Sequence, residues 1–181
     1  MKPWIEIARA GAGGEGTLSL HRRDDEFVIR VDGQVLMSSR RHGSEEWLAH
    51  VACARLGLAA RVLVGGLGMG FTLRAVLDLL PAGGQVVVAE LSPEVVEWNR
   101  AALAEVAGDP LGDARVQVQV GDVAEAIRAA RAEFDAILLD VDNGPGALVR
   151  ASNDALYAAS GLTVALRALR PGGCLAIWSA A

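Results

Sequence analysis

Three observations predict an α/β fold in which a parallel sheet is wound on both faces by helices. From residue 61 onward five short aliphatic runs, RVLV, QVVVAE, RVQVQV, DAILLD and CLAIWS, alternate with helical stretches, TLRAVLDLL, SPEVVEWNRAALAEVA, AEAIRAARA and SNDALYAASGLTVALRAL. Strand alternating with helix is the pattern of parallel strands joined by helical crossovers. The first, second and fourth runs are apolar enough for strands covered on both faces.

The chain opens differently. Residues 17–38, TLSLHRRDDEFVIRVDGQVLMS, alternate apolar and polar positions around Asp24-Asp25 and Asp32-Gly33. Asp-Gly is a strong signal for a tight hairpin turn, so residues 1–43 are expected to form a small antiparallel β unit. The polar break at residues 40–44 places Ser44 as the expected cap of a helix beginning near Glu45. That helix, EEWLAHVACARLG, carries Trp47, Leu48, Val51 and Leu56 at helical spacing and is expected to stop at Gly57. Residues 44–181 form the expected main domain. Residues 11–16 are the one loose, glycine-rich stretch, read as a mobile turn, and LRPGG at residues 169–173 reads as the end of a helix and the start of the last strand.

With 181 residues the chain can bury one substantial core. No apolar run reaches the roughly 18 to 20 residues of a membrane span, and MKPWIEIARAGAGG lacks the apolar core of a signal peptide, so a cytoplasmic protein without a membrane partner is expected. A formal charge of −5 argues against nucleic acid, whose phosphates need a basic face. A neutral or cationic small molecule suits it better. Cys53 and Cys174 read as buried thiols, and His21, His42 and His50 lack the spacing of a zinc site, so no metal is expected.

In such a sheet ligands sit beyond the carboxyl ends of the strands. After RVLV come Gly65, Gly66, Gly68 and Gly70, which permit close backbone approach and leave N–H groups free at a helix start. The spacing GGxGxG, without lysine, is not that of a triphosphate loop. Glu90 ends the second strand about twenty residues on, where an acid can accept hydrogen bonds from both ribose hydroxyls of a nucleoside. After the third strand, the Asp122 carboxylate of Gly121-Asp122 either accepts from an exocyclic amine such as adenine's or caps the next helix. After the fourth, DVDNGP crowds Asp140 and Asp142 at a strand end. One of them, raised in pKa, could act as a general base toward an amine.

This set resembles the class I S-adenosylmethionine-dependent methyltransferase fold, a Rossmann-like doubly wound sheet, and within it the spermidine synthase (polyamine aminopropyltransferase) family. VLVGGLGMGFTLRAV resembles that family's glycine-rich loop and TLREV segment, and VVVAELSPEVVE its strand with the ribose acid, at Glu90, which the resemblance places at the co-substrate together with Leu91. GDV, Gly121, Asp122 and Val123, resembles its Gly-Asp pair at the adenine. FDAILLDVDNGP resembles the strand and loop that carry the catalytic acid, which the resemblance places at Asp140, with Asp142 beside it. The opening hairpin and SEEWLAH resemble the N-terminal β unit and its Y-H-E-x-L-A-H segment. The resemblance implies decarboxylated S-adenosylmethionine, or S-adenosylmethionine, as co-substrate, a small amine as acceptor, and a homodimer.

Several positions depart from the family pattern. GGLGMG replaces GGGDGG, DVDNGP replaces D-S-S-D-P, Gly43-Ser44 or Ser44-Glu45 stands for Tyr-His, and Gly161-Leu162 for a later Phe-Tyr. The antiparallel hairpin that usually follows the fifth strand is not expected here, which would leave CLAIWS as a sheet edge. Three functions follow as expectations: aminopropyl transfer to an amine, methyl transfer to another acceptor, and a non-catalytic member of the fold. A nicotinamide-dependent dehydrogenase fits the acidic loop less well.

Overall fold

The computed structural model of the chain describes residues 2–11, 16–141 and 154–179, arranged around two sheets. The first is antiparallel, in the order β1 (Ile5–Gly11), β2 (Thr17–Arg23), β3 (Glu26–Val31), β4 (Gln34–Ser38). Asp32 and Gly33, at φ 47° and 82°, join β3 to β4; two successive left-handed residues give a turn whose twist matches that of the strands it connects. Strand β1 adds to the expected hairpins. Its isoleucines Ile5 and Ile7 face solvent while Ala10 is buried, and the pairing register with β2 shifts between Glu6 and Ala8. Of residues 11–16, four lie outside the described residues.

Helix α1 (Gly43–Cys53) differs from the expected helix in its cap, its inner face and its end. His42, not Ser44, is its cap residue, and no side chain caps the helix; Ser44 lies in the first turn and donates its hydroxyl to Glu45 Oε2 at 2.6 Å. Trp47 and Val51 are exposed, and the buried face is Glu45, Leu48, Ala49, Ala52 and Cys53. Small residues let α1 lie close to its neighbours, so the large apolar side chains do not mark the inner face. The helix also ends at Cys53, before Gly57.

The second sheet is parallel and has five strands in the order β7-β6-β5-β8-β9, comprising β5 (Arg61–Gly65), β6 (Gln85–Glu90), β7 (Val116–Val120), β8 (Phe134–Leu139) and β9 (Leu169–Ile177). Alternate residues of the central strands point to opposite faces. Val62, Val64, Val86, Val88, Ala136 and Leu138 join one core with α1, α2 (Phe71–Leu79) and α3 (Pro93–Arg100). Leu63, Val87, Ala89, Ile137 and Leu139 join another with α4 (Val123–Ala129), α5 (Asp154–Tyr157) and α6 (Ala159–Ala168). Each fully buried aliphatic side chain contributes about 1.5–3 kcal/mol, which is why uninterrupted apolar runs stay in the centre of a sheet covered on both sides. The first of these cores also takes in Leu20, Phe27, Ile29 and Val31, so the antiparallel sheet packs onto the same side as α1, α2 and α3.

Two boundaries differ from expectation. Helix α3 starts as its sequence predicts, with the Ser92 hydroxyl accepting from Val95 N–H and Pro93 at the first position, but the chain leaves helical geometry at Ala101 and resumes as a short 3-10 turn, Ala104–Ala107. LRPGG starts β9 as expected but lies wholly in the strand, since α6 ends at Ala168, and it is accommodated where the pairing with β8 shifts between Phe134 and Ala136. Strands β7 and β9 form the two edges of this sheet.

Strand order reverses between β5 and β8, and there the backbone is packed most closely. Asp140 N–H donates to the Gly65 carbonyl at 2.9 Å, and Gly66 N–H to the Ala89 carbonyl at 2.8 Å. Gly66 has φ 88°, and a Cβ there would lie 2.2 Å from the Asp140 carbonyl oxygen. Gly66→Ala is therefore expected to cost about 2 kcal/mol or more, from left-handed backbone strain plus overpacking, measured as a lower urea midpoint with unchanged slope.

Candidate functional site

The loop after β5, the turn after β6 and the first residue after β8 converge at the carboxyl edge of the sheet, at the point of strand-order reversal where open α/β sheets place ligands. They border a cavity of about 140 Å³ that opens to solvent. Gly66, Gly68, Glu90 and Asp140 line it together with Glu45 and Trp178. Leu18, Ile29, Leu36 and Met37 of the antiparallel sheet close its apolar wall. Three carboxylates and no lysine or arginine are present among the described lining residues.

Glu90 is held by backbone. Leu67 N–H donates to its Oε2 and Ser92 N–H to its Oε1, each at 2.8 Å. Burial pushes its pKa above the usual carboxylate range, while N–H groups of Ser92, Leu67, Gly68 and Leu91 oppose that rise. The acid thus pins the glycine loop and still presents an edge to the cavity. Asn99 fixes the far side of the loop, its amide donating to the carbonyls of Gly68 at 2.8 Å and of Val95 at 2.9 Å. At Gly68 a Cβ would meet Met37 Cε at 2.8 Å, so the absence of a side chain there lets β4 approach. Gly70 precedes α2 as its cap residue, and Gly65 ends β5 against Val123 and Leu139.

Gly121 and Asp122 lie at the next strand end, outside the cavity lining. Gly121 N–H donates to the Glu90 carbonyl at 2.8 Å, and Asp122 caps α4 by accepting from Ala124 N–H at 2.8 Å. Of the two roles open for Asp122 in the sequence, capping is the one its geometry displays. Val123 is buried in the second core.

Asp140 faces the cavity from the end of β8. Thr72, buried on the first turn of α2, donates its hydroxyl to Asp140 Oδ2 at 2.5 Å. Burial raises the Asp140 pKa to about 6; the Thr72 hydrogen bond opposes that rise and the negative charge of Glu45 adds to it. Asp142 lies outside the described residues. Glu45 and Thr72 escaped the sequence reading. An acid in the first turn of a helix is an ordinary response to the helix dipole, and a threonine two residues past a glycine loop is an ordinary helix-start residue, so neither carried a signal.

Among the described residues no group of three or more His, Cys, Asp or Glu side chains is arranged to hold a metal ion, and no helix is long and apolar enough to cross a membrane. Burial pushes the Cys53 thiol up to about 12, the neighbouring Cys174 adding to the rise, which leaves it little thiolate character.

Fold and site together define a doubly wound α/β protein with an acidic crevice where its strand order reverses. Comparison with known proteins specifies the family. Residues 41–179 match the spermine/spermidine synthase domain, and the chain belongs to that family. It is 32% identical over 163 residues to a polyamine aminopropyltransferase of Mycobacterium tuberculosis, covering 86% of this chain and 29% of that protein. It is 31% identical over 146 residues to one of Bacillus mycoides, covering 79% and 52%. The chain therefore spans between about a third and a half of these curated relatives. Among solved structures, spermidine synthase from Thermotoga maritima superposes with a TM-score of 0.71 at 21% identity, covering 91% of this chain and 54% of that one. A spermidine synthase in complex with the transition state analogue AdoDATO gives 0.69 at 22%, covering 91% and 53%. These superpositions agree with the Rossmann-like fold expected from the sequence.

Asp140 carries a stability signature. Its carboxyl ionises near pH 4 in an unfolded chain and near 6 in the native state. Between those values the native state holds a proton that the unfolded chain has released, so stability falls as pH rises through the window. Asp140→Asn is expected to exceed the wild type in unfolding free energy at pH 7 by on the order of 2 kcal/mol, a difference that vanishes near pH 4 in urea titrations.

Proposed function

We propose that the chain is an aminopropyltransferase that uses decarboxylated S-adenosylmethionine and an aliphatic amine. The carrying observation is the cavity: three carboxylates against an apolar wall, with no cationic side chain among its described lining residues. Uncompensated acids in such a space favour a cationic guest, and the apolar wall suits methylene groups. The same acids disfavour a donor that retains its own carboxylate, which supports aminopropyl over methyl transfer.

In this reading Glu90 receives the ribose hydroxyls on its free edge, the loop at residues 65–70 passes under the nucleoside, and the base extends toward Gly121 and Asp122. Leu91 and Val123 flank these positions through backbone and packing. Residues 1–43 form one unit that walls the cavity and residues 44–181 the nucleoside-binding unit. When bound, the donor supplies a sulfonium, a leaving group that needs no acid or metal. Asp140 accepts a proton from the acceptor ammonium, leaving a neutral nitrogen with a lone pair. That nitrogen bonds to the carbon beside sulfur while the carbon–sulfur bond breaks and its electron pair remains on a neutral thioether. A base of pKa about 6 is matched to proton transfer near neutral pH. Glu45 attracts the positive end of the amine from α1. Alignment of nitrogen, carbon and sulfur supplies most of the acceleration.

Calorimetry with the two donors is expected to show tighter binding of the decarboxylated form by about tenfold or more; preference for the carboxylated form would transfer the assignment to methyl transfer. With a panel of aliphatic diamines and detection of product by mass spectrometry, Asp140→Asn is expected to lower kcat by about a hundredfold, and Glu45→Gln to raise KM for the amine by about tenfold.

A further inference from the structure

Two acids share the cavity with Asp140, namely Glu45 on α1 and Glu90 at the end of β6. They are held in different ways. The oxygens of Glu90 each take a backbone N–H, and Glu45 takes the Ser44 hydroxyl, whereas among the described residues the side chain of Asp140 takes one donor, Thr72 Oγ1, on Oδ2. Thr72 is 2% exposed, and its place on α2 is set by the core that buries the neighbouring Phe71, Leu73 and Val76. The hydroxyl thus comes from a rigid element, and it occupies one of two otherwise equivalent oxygens.

We propose that Thr72 is a positioning residue for Asp140: its hydroxyl holds Oδ2, and this leaves Oδ1 as the oxygen that meets the acceptor amine. Without the bond the carboxyl can rotate about its terminal torsion, a broad and shallow coordinate. The assignment of Oδ1 to the amine rests on the aminopropyl-transfer reading; the coupling of Thr72 to Asp140 does not. A hydrogen bond donated to the carboxylate also favours its charged form, so its loss moves ionisation toward higher pH. Burial and the charge of Glu45 push in that same direction, and the Thr72 hydroxyl opposes them.

Carboxyl carbon-13 NMR titration of the full chain tests this, with the Asp140 resonance assigned by its loss in Asp140→Asn. Thr72→Val is expected to raise the Asp140 midpoint by about half a unit or more, and Thr72→Ser to return it to within about 0.2 unit of wild type. In parallel, Thr72→Val is expected to lower kcat for aminopropyl transfer by about tenfold while KM for the donor stays within about twofold, again with rescue by serine. An unmoved midpoint in Thr72→Val, or an equal shift in Thr72→Ser, overturns the proposal, since a role in packing alone predicts one or the other. If circular dichroism shows that Thr72→Val does not fold, Thr72→Ala is read by the same criteria. Absence of aminopropyl transfer by the wild type removes the functional reading, and the titration still decides whether Thr72 governs Asp140.

Discussion

The contact between Gly66 and the backbone of Asp140 is the constraint on which the site depends. Strands β5 and β8 must be neighbours for the chain to reverse its winding, and their carboxyl ends must stay close for the loop and the acid to face one cavity. The hydrogen bond from Asp140 N–H to the Gly65 carbonyl draws the ends together. A side chain at position 66 would force them apart, since it would collide with a carbonyl and not with a flexible group. The glycine therefore serves the sheet as much as any ligand. The apolar faces of β5, β6 and β8 hold this junction rigid from both sides.

Charge at that junction is distributed unequally. Glu90 is buried at the expense of hydration, and backbone N–H groups from two turns replace the lost water. Its carboxylate consequently stabilises loop geometry in the absence of ligand. Asp140 takes the Thr72 hydroxyl and has the like charge of Glu45 nearby, and burial raises its pKa to about 6. An acid whose ionisation lies close to neutrality is thus built beside one that anchors backbone. Strongly perturbed acids facing a crevice are a physical marker of function, and here the perturbation comes from burial first. The arrangement trades native-state stability for a base that can exchange protons.

Much of the fold was legible in the residues. The apolar runs of β5, β6 and β8 identify central strands because only a sheet covered on both faces tolerates them, and Asp32-Gly33 identifies its turn because few other pairs accept two left-handed residues. The faces of β1 and α1 were not legible. In β1 Ile5 and Ile7 face solvent while Ala10 is buried, and in α1 alanine and cysteine occupy the inner face while Trp47 and Val51 point outward. Hydrophobic size reports burial only where packing distance is ordinary. Of the candidate site, Gly66, Gly68, Glu90 and Asp140 meet at one cavity, whereas Gly65 and Gly70 lie outside its lining and Asp122 lies at the adjoining strand end and caps a helix. The donor to Asp140 and the second acid of the cavity were invisible, because threonine and glutamate at helix starts are commonplace.

The sequence by itself determined the strand–helix alternation, the glycine loop and the spacing from loop to acid, since these are local and follow from dihedral preference and apolar period. Family membership was legible from the same motifs. Tertiary structure decided which acids share a space, because Glu45, Glu90 and Asp140 come from three separate elements and are brought together by sheet order and helix packing. It also decided the raised pKa values of Glu90 and Asp140. Burial and neighbouring charge act through distance in the folded molecule, and no spacing along the chain encodes either one.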